Sequence, residues 1–260
     1  MLLRQNKLIP LEQLHEEKYA QILCYPKYDL NELRKRLEEL KRLGIKTLEF
    51  SGGKTAFDVP VLGKGCVGIV VTAYANRGKA ALKIRRVDAD RVGMQQEAEM
   101  LRKANAVKVG PNLFDVTENF LLMEHIEGTL LPRWVVLSSG KGTRARIRRV
   151  LRAVLEQCWR LDEEGLDHGE LSTAPKHILV DVSDEPCIVD FETASVNRRV
   201  SNVTSICQYL FLGSHVAKMI KRKLGKIDKA QLIEALRNYK QKRTRENFEN
   251  ILDTCKLRKV

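Results

Sequence analysis

Apolar and polar positions follow two different periods along this chain, and the change of period divides it. Residues 11–24 predict a first helix, closed by Pro26. A second begins at Asp29, an N-cap residue with Glu32 three positions on, and repeats Leu30, Leu33, Leu37 and Leu40 at helical spacing up to Gly44. From Lys46 the period shortens. Ile45–Phe50 alternates like a strand, and residues 58–62, 69–74 and 80–84 read as three more. Asn76-Arg77-Gly78 joins the last two as a turn suited to positive φ. Residues 90–104 predict a helix and residues 120–124 a short buried strand. Beyond Gly128 the pattern is mostly helical, broken by a strand-rich stretch from Ile178 to Phe191. Strands with one helix, followed by helices, predict an α+β chain in two lobes.

Composition narrows the partners rather than the fold. With 260 residues, 43% hydrophobic and 30% charged, the chain reads as one or two globular domains. Its net charge of +13 favours partners carrying phosphate. No apolar run approaches the roughly 20 residues of a membrane span, and the N-terminal run is too short for a signal peptide. A cytoplasmic protein without membrane attachment is the expectation. Six cysteines, none in a CxxC pair, read as reduced core or near-core thiols rather than a zinc site.

The chemistry concentrates in ordered motifs. Gly63-Lys-Gly65-Cys-Val-Gly68 is a GxGxxG run. A strand rich in β-branched residues, including Val70, follows it, where a dinucleotide fold would have a helix. Strand, glycine loop and strand form the hairpin that covers ATP phosphates in protein kinases. Fifteen residues past Gly68, Lys83 stands in the apolar strand Ala80-Ala-Leu-Lys-Ile84. A buried lysine needs an anion. Glu97 on the next helix is the proposed partner, and Glu99 points to another side. Leu121-Leu-Met-Glu-His-Ile126 looks like a kinase hinge, with the Glu124 carbonyl and the Ile126 N–H meeting adenine. Asp167-His-Gly-Glu170-Leu171 precedes Ile178-Leu-Val180, and Ile188-Val-Asp190-Phe191-Glu192 resembles the DFG metal site with Glu in place of Gly.

Taken together, these elements resemble the protein-kinase superfamily, and within it the minimal atypical branch of RIO kinases and the small KEOPS-complex kinase. The resemblance is nearest to an archaeal group of predicted serine/threonine kinases and covers roughly residues 55–215. His168-Gly-Glu-Leu171 is similar to HGDL, Met123–Gly128 to MEYIEG, and Ser201–Phe211 to the helix after the metal loop. The resemblance implies a two-lobed kinase-like fold, with an antiparallel sheet and helix in the N-lobe and a mainly helical C-lobe. Residues 1–48 would be a helical extension, 49–126 the N-lobe and 127–260 the C-lobe. It implies ATP with Mg²⁺ or Mn²⁺ and a protein Ser/Thr substrate. Gly63, Gly65, Gly68 and Val70 would cover the nucleotide, Lys83 orient it, Glu97 fix Lys83, and Glu124 and Ile126 take the base. Asp190, with His177, would hold metal, and Glu170 would be the catalytic base.

Two departures stand out. The family's catalytic Asp is Glu170, one methylene longer. The family's Asn has no exact match: position 175 is Pro, and His177 aligns only if the loop carries two extra residues. These departures leave room for a nucleotide-binding pseudokinase or ATPase switch acting in RNA–protein assembly. A small-molecule kinase of the aminoglycoside or choline type is a further alternative. Arg144, Arg146, Arg148, Arg149 and Arg152 form a basic run that reads as a solvated face or, beside the resemblance, as an RNA or ribonucleoprotein contact.

Overall fold

The structure, a computed structural model, describes residues 7–258. The chain forms two compact units, one of Met1–Arg102 with Pro111–His125 and the other of Lys103–Gly110 with Ile126–Val260.

In the first unit the elements run β1 (Lys7–Pro10), α1 (Glu17–Leu23), α2 (Leu30–Arg42), β2 (Ile45–Phe50), β3 (Lys54–Ala56), β4 (Val59–Val61), β5 (Gly63–Lys64), β6 (Gly68–Ala75), β7 (Gly78–Arg85), α3 (Arg91–Ala106, its residues from Lys103 on belonging to the second unit), β8 (Leu113–Val116) and β9 (Phe120–Glu124). An antiparallel sheet orders them β1-β2-β6-β7-β9-β8, with β5 beside β6 and β3–β4 as a separate hairpin. The stretch expected as one helix over 11–24 is a 3₁₀ turn at Leu11–Gln13 followed by α1. Leu14 and Tyr19 explain the break. Both are buried, yet five residues on a continuous helix lie about 140° apart, so the chain turns between them. Ala75 pairs with Gly78, leaving Asn76 and Arg77 at the hairpin tip. The positive φ expected of that turn falls on Gly78.

Helix α2 begins as expected, with Asp29 Oδ1 accepting from the Glu32 N–H at 2.8 Å. Glu32 does not close a capping box. Its Oε1 accepts from Arg36 Nε at 2.9 Å and Arg85 Nη2 at 3.3 Å. Arg36 is fully buried and donates to the Arg85 carbonyl at 2.6 Å and to Asn119 Oδ1 at 3.0 Å. Arg85 meets the same Asn119 oxygen at 2.6 Å, and Glu39 accepts the Asn119 backbone N–H at 3.0 Å. A buried guanidinium without such partners would be strongly unfavourable. This polar knot ties α2 to β7 and to the residue before β9. Ile22, Leu33 and Leu40 share one core with Leu48, Val71, Leu82 and Leu122 of the sheet. The helices expected as an extension are therefore built into the first unit.

The second unit contains β10 (Gly128–Leu130), α4 (Leu131–Leu137), α5 (Thr143–Glu163), β11 (Ile178–Asp181), β12 (Pro186–Ile188), α6 (Asn202–Cys207), α7 (His215–Leu224), α8 (Lys229–Gln241) and α9 (Arg245–Thr254). A π-helical turn over Gln208–Leu212 continues α6. Helix α5 buries Ile147, Val150, Leu151, Val154, Leu155 and Leu161 along one face. The strands β10-β11-β12 form a small antiparallel sheet. The fold is α+β, with the antiparallel sheet in the N-terminal part and a mainly helical C-terminal region. Among the described residues no helix is long and apolar enough to cross a membrane. Of the cysteines, Cys24, Cys158, Cys207 and Cys255 are buried and Cys187 is half-buried, but Cys66 is exposed. It sits at the tip of the β5–β6 hairpin, where no second layer covers it.

Candidate functional site

In the first unit the glycine run forms a tight hairpin. Gly63 pairs with Val70 and Lys64 with Ile69, and the Gly65 N–H donates to the Gly68 carbonyl at 2.9 Å. The three glycines have different reasons to lack a side chain. A Cβ on Gly68 would stand 2.8 Å from the Ile84 carbonyl oxygen and 3.2 Å from Lys83 Cγ, so the sheet itself requires glycine there. A Cβ on Gly63 or Gly65 would meet nothing nearer than 3.5 Å and 3.7 Å. Their bareness leaves backbone open to a ligand without being needed for packing.

Val70 lies opposite Lys83 across β6–β7, and Leu121 lies opposite it across β7–β9. Facing residues of an antiparallel pair share one side of the sheet, so Lys83 projects between two apolar neighbours. Its ammonium donates to both carboxylate oxygens of Glu97 on α3, at 2.9 and 2.7 Å. Both side chains are buried, whereas Glu99 is exposed. At the end of β9 the Glu124 carboxylate accepts from the backbone and side-chain N–H groups of Asn112. The boundary between the units falls just after, between His125 and Ile126.

In the second unit two backbone segments are drawn together around His168. Its own N–H donates to Asn202 Oδ1 at 2.8 Å, and its Nε2 lies 3.2 Å from the Val189 carbonyl. The ring packs against Phe191 and His177, with centroids 5.1 and 5.4 Å away. Burial, with the neighbouring His177, pushes the His168 pKa down to about 4. Gly169 has φ +92°, and a Cβ there would stand 2.6 Å from Arg198 Nη2.

After Glu170 the extra residues fold into a 3₁₀ turn, Leu171–Thr173, that buries Leu171 and Ala174 and leaves Pro175 outside. The chain returns with His177 under the carboxylates. His177 Nε2 is 2.7 Å from Glu170 Oε2, and Nδ1 is 3.7 Å from Asp190 Oδ2. The ring is only 1% exposed. Neither nitrogen has the alignment of a hydrogen bond among the described residues. The carboxylates themselves are about a third exposed, at 37% and 33%. Asp190 holds φ +73°, an uncommon conformation for a residue with a side chain.

No group of three or more His, Cys, Asp or Glu side chains among the described residues forms a ready metal centre. Of the two groups, the Asp190 carboxylate offers the oxygen that a hard cation takes, whereas His177 offers nitrogen, which suits softer ions. Mg²⁺ is commonly held by one or two carboxylates together with substrate phosphates. Asp190 presents such a carboxylate, and the unaligned Nδ1 of His177 lies beside it.

The arginine run is largely committed within the unit. Arg146 holds Asp184 bidentately, with 2.8 Å contacts, and Arg149 reaches the same carboxylate at 3.3 Å. Arg152 meets Glu156 at 3.3 Å. These pairs give the run a structural purpose and leave the RNA reading without support from the fold.

No family model matches the chain. Over 132 aligned positions, 46% of the chain, it is 32% identical to the serine/threonine-protein kinase YabT of Bacillus subtilis (strain 168). The likeness is to a protein kinase. The match takes in 36% of that relative, so the chain spans little more than a third of its length.

Several supports of the site escape motif reading. Asn202 donates to Asp162 Oδ1 at 2.8 Å and to the Leu166 carbonyl at 2.7 Å while accepting from His168. Tyr239 donates to Asp162 Oδ2 at 2.9 Å. Asp167 accepts from Arg198 at 2.9 Å and from the Ser201 N–H at 3.0 Å. These contacts join residues more than 30 positions apart. The visible signal is a polar Ser201-Asn202 pair opening a short helix.

Proposed function

We propose that this chain is an atypical minimal protein kinase of the RIO or KEOPS-complex type. It transfers the γ-phosphoryl group of ATP to a serine or threonine hydroxyl of a protein, its own included. The observation that carries this reading is the buried Lys83–Glu97 pair on the strand that follows the glycine hairpin. Lys83, held by both Glu97 oxygens, is oriented to meet nucleotide phosphates, and the bare backbone of Gly63 and Gly65 covers them. Val70 closes the apolar side, and the Glu124 carbonyl and Ile126 N–H take the adenine edge.

In the second unit Asp190 would hold the divalent metal, Mg²⁺ or Mn²⁺, with His177 beside it. The metal, when bound, neutralises charge on the transferring phosphate. Glu170 accepts the proton of the attacking hydroxyl. Its carboxylate is partly exposed and lies 2.7 Å from His177 Nε2. Catalysis here rests on positioning and charge stabilisation.

The test begins with thermal stabilisation by ATP and Mg²⁺, which rises with ligand concentration by mass action. Lys83→Met and Asp190→Asn should each remove most of the shift. Labelled phosphate should appear on protein, and Glu170→Gln should lower that transfer while ATP affinity holds, as expected for a transition-state role. If both pocket variants still shift like the parent, the reading is wrong. A second reading rests on His177 standing where the family has an oxygen-bearing Asn. It is a nucleotide-binding switch, and it predicts phosphate release without phosphoprotein.

A further inference from the structure

The second unit contains a cavity of about 250 Å³ that none of the residues discussed so far uses. Its floor is apolar, formed by Phe211 of the π-helical turn and by Ala217, Ile220 and Leu224 of α7. Its charged lining is of one sign: Lys218, Lys221, Lys226, Lys229 and Lys256, with no acidic side chain among the described lining residues. The nearest carboxylate in sequence, Asp228, caps α8, accepting from the N–H groups of Ala230 and Gln231 at 2.9 and 3.1 Å.

Two of these lysines are anchored rather than free to swing. Lys229 Nζ donates to the Leu212 carbonyl at 3.0 Å, and Lys256 Nζ donates to the Lys226 carbonyl at 2.9 Å. Both acceptors belong to cavity-lining residues. An ammonium has three donors, so each anchored group keeps two for an anion and brings little mobility to be lost on binding. The π-helical turn at the wall is a second, independent feature. Such turns are rare and frequently accompany functional sites.

We infer that this cavity binds a small amphipathic anion, a medium-chain carboxylate whose tail fills the apolar floor and whose head group meets Lys229 and Lys256. Cavity size argues for a free acid rather than a two-chain lipid, since about 250 Å³ lies below the ~300–1,000 Å³ of drug-sized pockets.

Calorimetric titration of the full chain with sodium octanoate tests this, with octan-1-ol and acetate as arms lacking the charge and the tail. Octanoate should bind one to one, and each control at least about tenfold more weakly. The double variant Lys229→Glu/Lys256→Glu should weaken octanoate about tenfold or more and leave octanol unchanged. Ala217→Met, which fills the floor, should abolish both. If charge reversal prevents folding, Lys229→Gln/Lys256→Gln carries the same expectation, and melting curves verify each fold. Absence of octanoate binding overturns the inference, as do equal binding of octanol and indifference to both lysine variants.

Discussion

His168 lies between Phe191 and His177 with its backbone held by Asn202, and its ring stays neutral because solvent cannot reach it. Its pKa is about 4 in the fold against 6.5 for an exposed ring, so the unfolded chain binds the extra proton first. Stability therefore falls as the pH drops from about 6.5 to about 4 and levels off below. For this one group the loss is on the order of 3 kcal/mol. Urea unfolding across that range should show the decline, and His168→Gln should flatten it. His168 was legible as the start of the His168-Gly-Glu-Leu171 motif. The partner Asn202 was not, because a hydrogen bond across 34 positions leaves no periodic trace. Glu170 and His177 show the reverse case. Their types were noticed, but their 2.7 Å approach depends on a 3₁₀ turn that neither spacing nor composition announces.

At the scale of elements, the β5–β6 hairpin separates two meanings of one motif. Gly68→Ala places a Cβ against the Ile84 carbonyl and should cost about 1–3 kcal/mol of stability, the usual penalty of overpacking. Gly65→Ala meets only the Gly68 carbonyl oxygen at an ordinary 3.7 Å and should stay within about 0.5 kcal/mol of the parent, yet weaken ATP binding. Denaturant titration and nucleotide titration of the pair measure the two effects separately. Equal destabilisation by both would mean that Gly65 also serves packing. β6 and β7 followed from β-branched alternation and Lys83 from its single charge in an apolar run, whereas the two-residue β5 and the edge strands β1 and β8 did not. The break between residues 13 and 17 did not follow, since burial of both Leu14 and Tyr19 is a tertiary demand that overrides local helical preference.

Across the whole molecule, the largest departure from the sequence reading concerns the first 48 residues. Helical spacing correctly marked Leu33, Leu37 and Leu40 of α2 but could not show what they pack against. Nor did it single out Arg36 and Glu39, which are buried in partnership with Arg85 and Asn119. Removing residues 1–48 would strip Ile9, Leu14, Ile22, Leu23 and Leu40 from the core and take the Glu32 carboxylate away from the buried Arg85 guanidinium. Such a truncation should lose cooperative unfolding in the first unit, followed by circular dichroism during heating. A truncated chain that melts as sharply as the parent would restore the view of these helices as an appendage.

Asp190 brings an evolutionary consequence. Its left-handed backbone is open to glycine without penalty, whereas a residue with a side chain pays of order 1–3 kcal/mol there. A library selected only for heat resistance should therefore enrich Gly at this position. The survivors would be sturdier molecules without the carboxylate, and on the proposed kinase reading their loss would show as weaker metal-dependent phosphoryl transfer.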